Sequence, residues 1–154
     1  MIQIRQGVFE TNSSSTHSIT MCMKSEFEVW ERGEVYLNDG LWTSSCTVDA
    51  KNKTFVTKDE AIEMMCNEYH NKDEGRRAAF ANYLSNLDKG KLEDALYEYG
   101  IYSWNTFWNR ACHWYEAYTN EFTTENADDV VAFGYYGDWY KAYTDEFTTE
   151  NGDD

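Results

Sequence analysis

The chain has 154 residues, a formal net charge of −15 and no proline. A chain of this length can bury one modest core, and its 17% aromatic content argues against general disorder. The absence of proline excludes proline-rich linkers, and no run of 18 apolar residues predicts a membrane span. We therefore expect a single domain over residues 1–154.

The first ten residues and the cysteines indicate the compartment. The N-terminal sequence MIQIRQGVFE lacks the basic and then apolar layout of a signal peptide. The four cysteines, at positions 22, 46, 66 and 112, are far apart and form no paired motif. We therefore expect a reduced protein of the cytoplasm.

The negative charge is concentrated toward the C-terminal end. Residues 1–112 contain 17 acids and 12 bases, a net charge of −5, whereas residues 113–154 contain 11 acids and one base, a net charge of −10. Proteins that bind nucleic acids neutralise phosphates with lysine and arginine, so direct nucleic-acid binding is disfavoured. The charge instead favours cations or basic protein surfaces as partners.

Residues 1–57 are predicted to form short strands. The segments MIQIRQ and THSITMCM predict two strands, with Ile19, Met21 and Met23 alternating along the second. The polar segment ETNSSST lies between them as a loop. FEVW and GEVYLN predict another strand pair joined by RG, and NDG predicts a tight turn before LWTSS.

Residues 58–112 are predicted to form a helical segment. Thr57 and Glu60 have the spacing of a capping box at the start of a helix over residues 58–70. Since apolar residues recur every three to four positions in this stretch, one side of the helix should face a core. That apolar side comprises Ala61, Ile62, Met65, Cys66 and Tyr69.

Three further helices are expected in the same segment. Asp73 is a candidate N-cap for a helix that reaches residue 87, with an apolar side formed by Ala78, Ala79, Tyr83 and Leu87. A third helix is expected over residues 91–99, ended by Gly100, a typical residue at a helix C-terminus. Ser103 is a candidate cap for a short helical segment with the sequence WNTFWNR.

Residues 113–154 form an acidic, aromatic region with an internal repeat. The segment WYEAYTNEFTTENADD at residues 114–129 recurs as WYKAYTDEFTTENGDD at residues 139–154, with 13 of 16 positions identical. The β-branched and aromatic run between the two copies predicts a strand. A strand is favoured for the repeat as well, although Trp114, Tyr118 and Phe122 would also line up on a helix.

The expected fold class is α+β, with small antiparallel sheets, three to four helices in the middle of the chain and a C-terminal β-meander. In this meander, strands over residues 114–124, 130–136 and 139–149 follow one another. The two copies could then flank the same central strand, one on each edge. The alternative is a tandem duplication whose second copy is a frayed tail.

One stretch of the chain resembles known proteins. The segment VFETNSSSTHSI, residues 8–19, resembles the start of many small proteins encoded by bacteriophages and prophages, and VVAFGYYG, residues 130–137, is similar to sequence in the same group. Most of these proteins have no assigned function, so the resemblance implies no catalytic residue. It implies a phage accessory protein that acts in the cytoplasm of the bacterial host.

The loop ETNSSSTHS places several hydroxyl groups beside His17. Neighbouring residues on a strand point to opposite faces, so Thr16 and Ser18 are poorly placed to pass a proton to His17. The Gly-x-Ser-x-Gly motif of a nucleophile elbow is missing. A structural loop is favoured, and a small enzyme or nucleotide-binding protein built on residues 12–18 is the alternative hypothesis.

A metal site is also disfavoured. Cys66 and His70 have the i, i+4 spacing that can chelate a metal, and Cys112 and His113 could complete a set of four ligands. An adjacent cysteine and histidine seldom bind the same ion, and free cysteines are commonly small buried hydrophobes. We therefore expect no metal and no cofactor.

The preferred functional hypothesis is a phage-encoded inhibitor of a host defence nuclease, similar to an anti-CRISPR protein, rather than an enzyme. As a DNA mimic it would fill the nuclease's basic groove, with carboxylates meeting Arg and Lys and aromatic rings supplying apolar burial. Alternate residues of a strand lie about 6.7 Å apart, on the scale of successive phosphates. A structural phage accessory protein is a third hypothesis.

The predicted partner-binding residues lie in both copies of the repeat. Each copy pairs acidic side chains with tyrosines, and the spacing argument applies to Glu121 with Glu125 and to Glu146 with Glu150. The full predicted set is Glu116, Tyr118, Glu121, Glu125, Asp128, Asp129, Tyr143, Asp145, Glu146, Glu150, Asp153 and Asp154.

Overall fold

The computed structural model describes residues 7–8, 15–39, 53–70, 73–113 and 115–138. Both helices and β-strands occur along the chain, and the strands form antiparallel sheets. The predicted α+β fold is confirmed. Residue contacts group the chain into two compact units. The first, Met1–Lys24 with Trp108–Asp154, is called the sheet unit, and the second, Ser25–Phe107, is called the helical unit.

The sheet unit contains a four-stranded antiparallel sheet in the order β1-β2-β7-β6. Its strands are β1 (Gly7–Val8), β2 (Ser15–Met23), β6 (Glu116–Thr123) and β7 (Asp129–Asp138). Strand β7 is central, since β2 pairs with it from Ser15↔Asp138 to Met23↔Val130 and β6 pairs with it from Glu116↔Tyr136 to Thr123↔Asp129.

The β6–β7 hairpin confirms the first half of the predicted meander. The second edge of β7 is occupied by β2, so the expectation that the two copies of the repeat flank this strand is wrong. An N-terminal strand can take this place because sheet pairing joins residues far apart in sequence. The predicted third strand, residues 139–149, lies outside the described residues.

Strand β7 is covered on both faces. Its residues from Val130 to Gly134 are all buried, and the ring centroid of Trp108 lies 6.3 Å from that of Phe133. On β2, Ser18, Thr20 and Cys22 are the buried residues, whereas the apolar residues that alternate with them are only half-buried. Alternating hydrophobicity therefore did not mark the buried face of β2.

Helix α1 (Lys24–Glu31), which belongs to the helical unit from Ser25 onward, contains the FEVW segment predicted as a strand. That prediction was wrong because the four residues were too few to separate strand from helix periodicity, and Phe27 and Trp30 are buried together at i, i+3 spacing. The predicted RG turn is the end of the helix. Gly33, with φ 75°, donates to the Trp30 carbonyl, and Glu34 donates to the Val29 carbonyl, a Schellman motif.

Three longer helices follow: α2 (Lys58–His70), α3 (Glu74–Ser85) and α4 (Lys89–Tyr97). The predicted capping box is confirmed, because the Thr57 N–H donates to the Glu60 carboxylate at 2.8 Å and the Glu60 N–H donates to the Thr57 hydroxyl at 3.3 Å. Asp73 caps α3 as predicted, accepting from the Arg76 N–H at 3.0 Å. Gly100, with φ 70°, ends the turn after α4.

The apolar side predicted for α3 was largely wrong. Ala78 and Ala79 are exposed and Tyr83 is 58% exposed, whereas Leu84 is buried. The helix presents Leu84, with the partly buried Phe80, Ala81 and Leu87, to the core. That core is formed mainly by Tyr36, Val56, Ala61, Ile62, Met64, Met65, Cys66, Leu92, Leu96 and Ile101.

A three-stranded antiparallel sheet of β4 (Phe55–Val56), β3 (Tyr36–Asn38) and β5 (Ile101–Tyr102) completes the helical unit. Trp30 is fully buried, and its indole N–H donates to the Tyr102 carbonyl at 3.1 Å. Ring centroids 4.9–5.9 Å from that of Trp30 belong to Phe27, Phe55, Trp104 and Phe107.

A short helical segment follows β5. Ser103 caps α5 (Trp104–Thr106) as predicted, accepting from the Thr106 N–H at 3.2 Å, and a π-helical turn covers Phe107–Ala111. Among the described residues, no helix is both long enough and apolar enough to cross a membrane.

Candidate protein-binding surface

The β6–β7 hairpin carries the predicted partner-binding residues of the first repeat copy. Its turn is closed by two backbone hydrogen bonds, from the Ala127 N–H to the Thr124 carbonyl and from the Thr124 N–H to the Asp128 carbonyl, both 2.9 Å long. Ala127 has a φ of 62°, the left-handed conformation that non-glycine residues rarely adopt. The pattern is a three-residue hairpin loop of a known type, a turn followed by a left-handed residue.

The strand register assigns the side chains of the hairpin to two faces. Residues directly opposite each other share a face, so Glu116, Tyr118, Asn120 and Phe122 lie on the same face as Tyr136. These five residues are called the aromatic-acidic face. The other face of β6 carries Ala117, Thr119, Glu121 and Thr123.

The aromatic-acidic face exposes large hydrophobic groups. Among the described residues, three large hydrophobic side chains are exposed, and two of them, Phe122 at 39% and Tyr136 at 41%, lie on this face. Every residue of β6 except Tyr118 is exposed. Exposed aromatic rings are typical of surfaces that bind other proteins.

Tyr118 ties three strands together. Its hydroxyl donates a hydrogen bond of 2.7 Å to the Ser18 carbonyl on β2, and so reaches across β7. The reach is possible because Gly134 lies beneath it. A Cβ at Gly134 would lie 2.0 Å from the Ser18 oxygen and 2.9 Å from the Tyr118 hydroxyl. Burial raises the pKa of Tyr118, which keeps the hydroxyl protonated as a donor.

A second tyrosine holds the far end of the same face. The Tyr136 hydroxyl donates to the Glu116 carboxylate at 2.5 Å, directly across the strand pair. This hydrogen bond to an anion raises the pKa of Tyr136. The rings of Tyr118 and Tyr136 are neighbours, with centroids 6.2 Å apart. The face is therefore ordered by its own side-chain contacts.

The opposite face of β6 is polar and carries one ion pair. The Lys24 ammonium lies 2.6 Å from the Glu121 carboxylate. Glu125 is in the turn, because the strand ends at Thr123, so Glu121 and Glu125 do not share a strand face as predicted. The regular spacing of phosphate-like charges expected for this pair is therefore missing.

The hairpin is acidic throughout. Residues 115–138 contain six acids and neither lysine nor arginine. Glu116, Glu121, Glu125 and Asp129 are exposed and Asp128 is half-buried. The acids thus surround the hairpin, on both faces and at the turn, instead of lying in one row.

The predicted residues of the second copy lie outside the described residues, so the structure places only half of the predicted set. Those not placed are Tyr143, Asp145, Glu146, Glu150, Asp153 and Asp154.

The structure describes only some of the residues named in the alternative hypotheses of a loop-based site and a metal site. His17 lies on β2 opposite Tyr136, but its side chain and residues 9–14 lie outside the described part. Cys66 and Cys112 are both buried and belong to different units. Among the described residues, no group of three or more histidine, cysteine, aspartate or glutamate side chains could hold a metal ion.

Asp39 is a perturbed carboxyl that the sequence did not point to. It follows β3, its N–H donates to the Gly100 carbonyl at 2.9 Å, and burial raises the pKa of its carboxyl to about 7. Its local sequence resembles an ordinary turn, so only its burial marks it. Perturbed carboxyls occur at functional sites and in structural networks alike, and Asp39 belongs to the helical unit.

Comparison with protein-family models, with curated proteins and with solved structures found no match to this chain. The function must therefore be inferred from the hairpin itself.

Proposed function

We propose that the protein is a non-enzymatic, phage-encoded inhibitor that binds the basic nucleic-acid groove of a bacterial defence nuclease through its β6–β7 hairpin. The observation that carries this proposal is the combination of exposed Phe122 and Tyr136 with Glu116 on one face of a hairpin that contains no basic residue. A basic partner is the one that this charge attracts.

The hairpin has the features of a docking element. The rings of Phe122 and Tyr136 would supply apolar burial at the centre of an interface, while the surrounding carboxylates meet arginine and lysine at its rim. Among the described strands β6 is at the edge of the sheet, so a partner could pair with its backbone.

The choice of a nuclease comes from two further considerations. A nucleic-acid groove is an extended basic surface, and residues 113–154, with a net charge of −10, are complementary to it. The resemblance of residues 8–19 to phage proteins supports a target in the bacterial host. Since the acids surround the hairpin, we expect it to insert into the groove rather than to copy the phosphate spacing of one strand.

The test is DNA binding by purified bacterial RNA-guided and restriction nucleases in the presence of the protein. We expect that one of them loses DNA binding, and that its association with the protein slows as the salt concentration rises. The variant Glu116→Gln/Glu121→Gln/Glu125→Gln should associate at least tenfold more slowly at low salt and nearly normally at high salt.

The matched control removes three exposed acids from the helical unit, in the variant Glu28→Gln/Glu31→Gln/Glu98→Gln. It has the same net charge as the hairpin variant and should associate close to the wild-type rate. Equal slowing in both variants would show that only total charge matters. A nuclease that binds the protein and DNA together would contradict occupation of its groove.

A further inference from the structure

Helix α3 has most of its surface exposed. Leu84 is its one buried residue, whereas Tyr83, at 58%, is the most exposed of the large hydrophobic side chains among the described residues. The ring of Tyr83 stacks on that of Phe80, with centroids 6.4 Å apart. Since Phe80 packs against the core, Tyr83 continues the apolar surface of the core outward. Exposed tyrosines of this kind are enriched where proteins meet.

Four exposed residues recur along α3 at intervals of three and four positions, so they line one side of the helix. They are Arg76, Ala79, Tyr83 and the C-cap residue Asn86, and we call them the α3 face. The small side chain of Ala79 leaves room one turn away from the large ring of Tyr83. The α3 face therefore offers a protruding group and, beside it, a space of the kind that could receive one.

The charge of α3 differs from that of the rest of the protein. Of the helices α1 to α4, α3 alone has more bases, Arg76 and Arg77, than acids. Its one acid, Glu74, lies about 160° around the helix from Arg76. The Asp73 carboxylate at the start of the helix lies 3.4 Å from the Arg76 Nε. In a chain with a net charge of −15, two copies would repel each other least along this face.

We propose that the α3 face binds a second copy of this chain, with the two helices antiparallel and Tyr83 of each copy packed over Ala79 of the other. Around a two-fold axis level with residue 81, position 79 lies opposite position 83 in both halves of the pair. A large side chain thus fills the space above a small one twice. The proposal is independent of the proposed function, because α3 and the hairpin belong to different units.

The same axis matches the polar ends of the α3 face. Arg76 of one copy would lie opposite Asn86 of the other. The amide nitrogen of Asn86 donates to the Asn82 carbonyl at 2.7 Å, so its amide oxygen can accept from the arginine. Along the helix axis, the guanidinium would also lie within about 5 Å of the other copy's Tyr83, a separation suited to a cation–π contact. The two arginines would be about 15 Å apart, so they would repel little.

The size and charge of the pair determine its strength. A helix of twelve residues is about 18 Å long, so the interface is small and the dimer should be weak, with a Kd on the order of 100 µM. Salt should strengthen it, because salt screens the repulsion between two chains of net charge −15. The opposite dependence is expected for the hairpin and a basic nuclease, so salt distinguishes the two contacts.

The test is sedimentation equilibrium of the full chain from about 10 µM to about 1 mM, at about 50 mM and about 500 mM salt. We expect a monomer–dimer equilibrium that is about threefold or more tighter at the higher salt concentration. The indole signal of Trp30, which donates to the Tyr102 carbonyl, verifies in each variant that the helical unit is folded.

The variants exchange the large and the small residue of the α3 face. Ala79→Tyr sets two rings against each other and Tyr83→Ala removes the ring, so each should weaken the dimer about tenfold or more. The double variant Ala79→Tyr/Tyr83→Ala keeps the composition unchanged and should bring the Kd back to within about threefold of the wild type. The matched control is Ala78→Tyr. Ala78 is exposed about 100° around the helix from Ala79, so this variant should dimerise normally.

Recovery of the dimer in the double variant, with normal dimerisation of the control, supports the proposal. A monomer at every protein and salt concentration would overturn it. A dimer that neither single variant weakens would also overturn it, because the copies would then meet elsewhere. The antiparallel pairing would be wrong if both single variants lost the dimer and the double variant did not regain it, or if the control weakened it as much as Ala79→Tyr.

Discussion

Strands β6 and β7 belong to the same hairpin, but they have different environments. β7 is paired on both edges and buried from Val130 to Gly134, whereas β6 is paired with β7 alone among the described strands and is exposed at every residue except Tyr118. Both strands are rich in aromatic residues. β7 therefore maintains the sheet, while β6 presents side chains at its edge among the described strands.

The largest expected effect follows from crowding the centre of β7. The variant Gly134→Ala should lower the free energy of unfolding by about 3 kcal/mol or more, since its Cβ would lie 2.0 Å from a backbone oxygen of β2. Chemical denaturation measures the change. A loss below about 1 kcal/mol would mean that β2 and β7 are not held this close.

The matched control is Gly90→Ala in α4, where the nearest side-chain atom would lie 3.6 Å from the new Cβ. Alanine favours a helix over glycine, so this variant should be stabilised by about 0.5 kcal/mol. The same chemical change is thus expected to have opposite signs in the two units.

A smaller effect is expected at the hydrogen bond between Tyr118 of β6 and strand β2. The variant Tyr118→Phe removes the hydroxyl that donates to the Ser18 carbonyl and should cost about 1 kcal/mol. Because burial raises the pKa of Tyr118, the contribution of the hydroxyl is fully present below the unfolded pKa and is lost as pH rises through the folded pKa. The stability difference between wild type and variant, measured from pH 7 to 11, should therefore shrink only at the alkaline end.

The smallest effect is expected in the hairpin turn. Ala127 has a φ of 62°, and the second copy has Gly152 at the matching position. The variant Ala127→Gly should raise the free energy of unfolding by about 0.5 kcal/mol, because relief of the left-handed strain exceeds the added chain entropy. The midpoint of thermal unfolding measures it, and a lower midpoint would argue against this turn geometry.

Local signals made the helices and the hairpin predictable. Two helix starts are marked by hydrogen bonds between residues three positions apart: Thr57 with Glu60, and Asp73 with Arg76. A short window of sequence is therefore enough to predict where these helices begin. The prediction of a strand for the FEVW segment was wrong for the opposite reason. Four residues fit either periodicity, and the contacts of Trp30 with sequence-distant rings decided in favour of a helix.

The pairing of strands that are far apart in the sequence could not be predicted from the sequence. Tyr118 bonds to a residue 100 positions away, and nothing in either segment identifies β2 as the second neighbour of β7. The acidic character of the candidate surface could be predicted from composition. The exposure of Phe122 and Tyr136 could not, because it depends on which strand ends the sheet.

The most direct measurement is amide hydrogen exchange compared between the two strands of the hairpin. The amides of Val131 and Phe133 should exchange slowest in the sheet unit, and those of β6 should exchange at least tenfold faster, because β6 can open while β7 stays paired with β2. Equal protection of both strands would contradict the position of β6 at the edge of the sheet. Fast exchange at Val131 and Phe133 would contradict the central position of β7 itself.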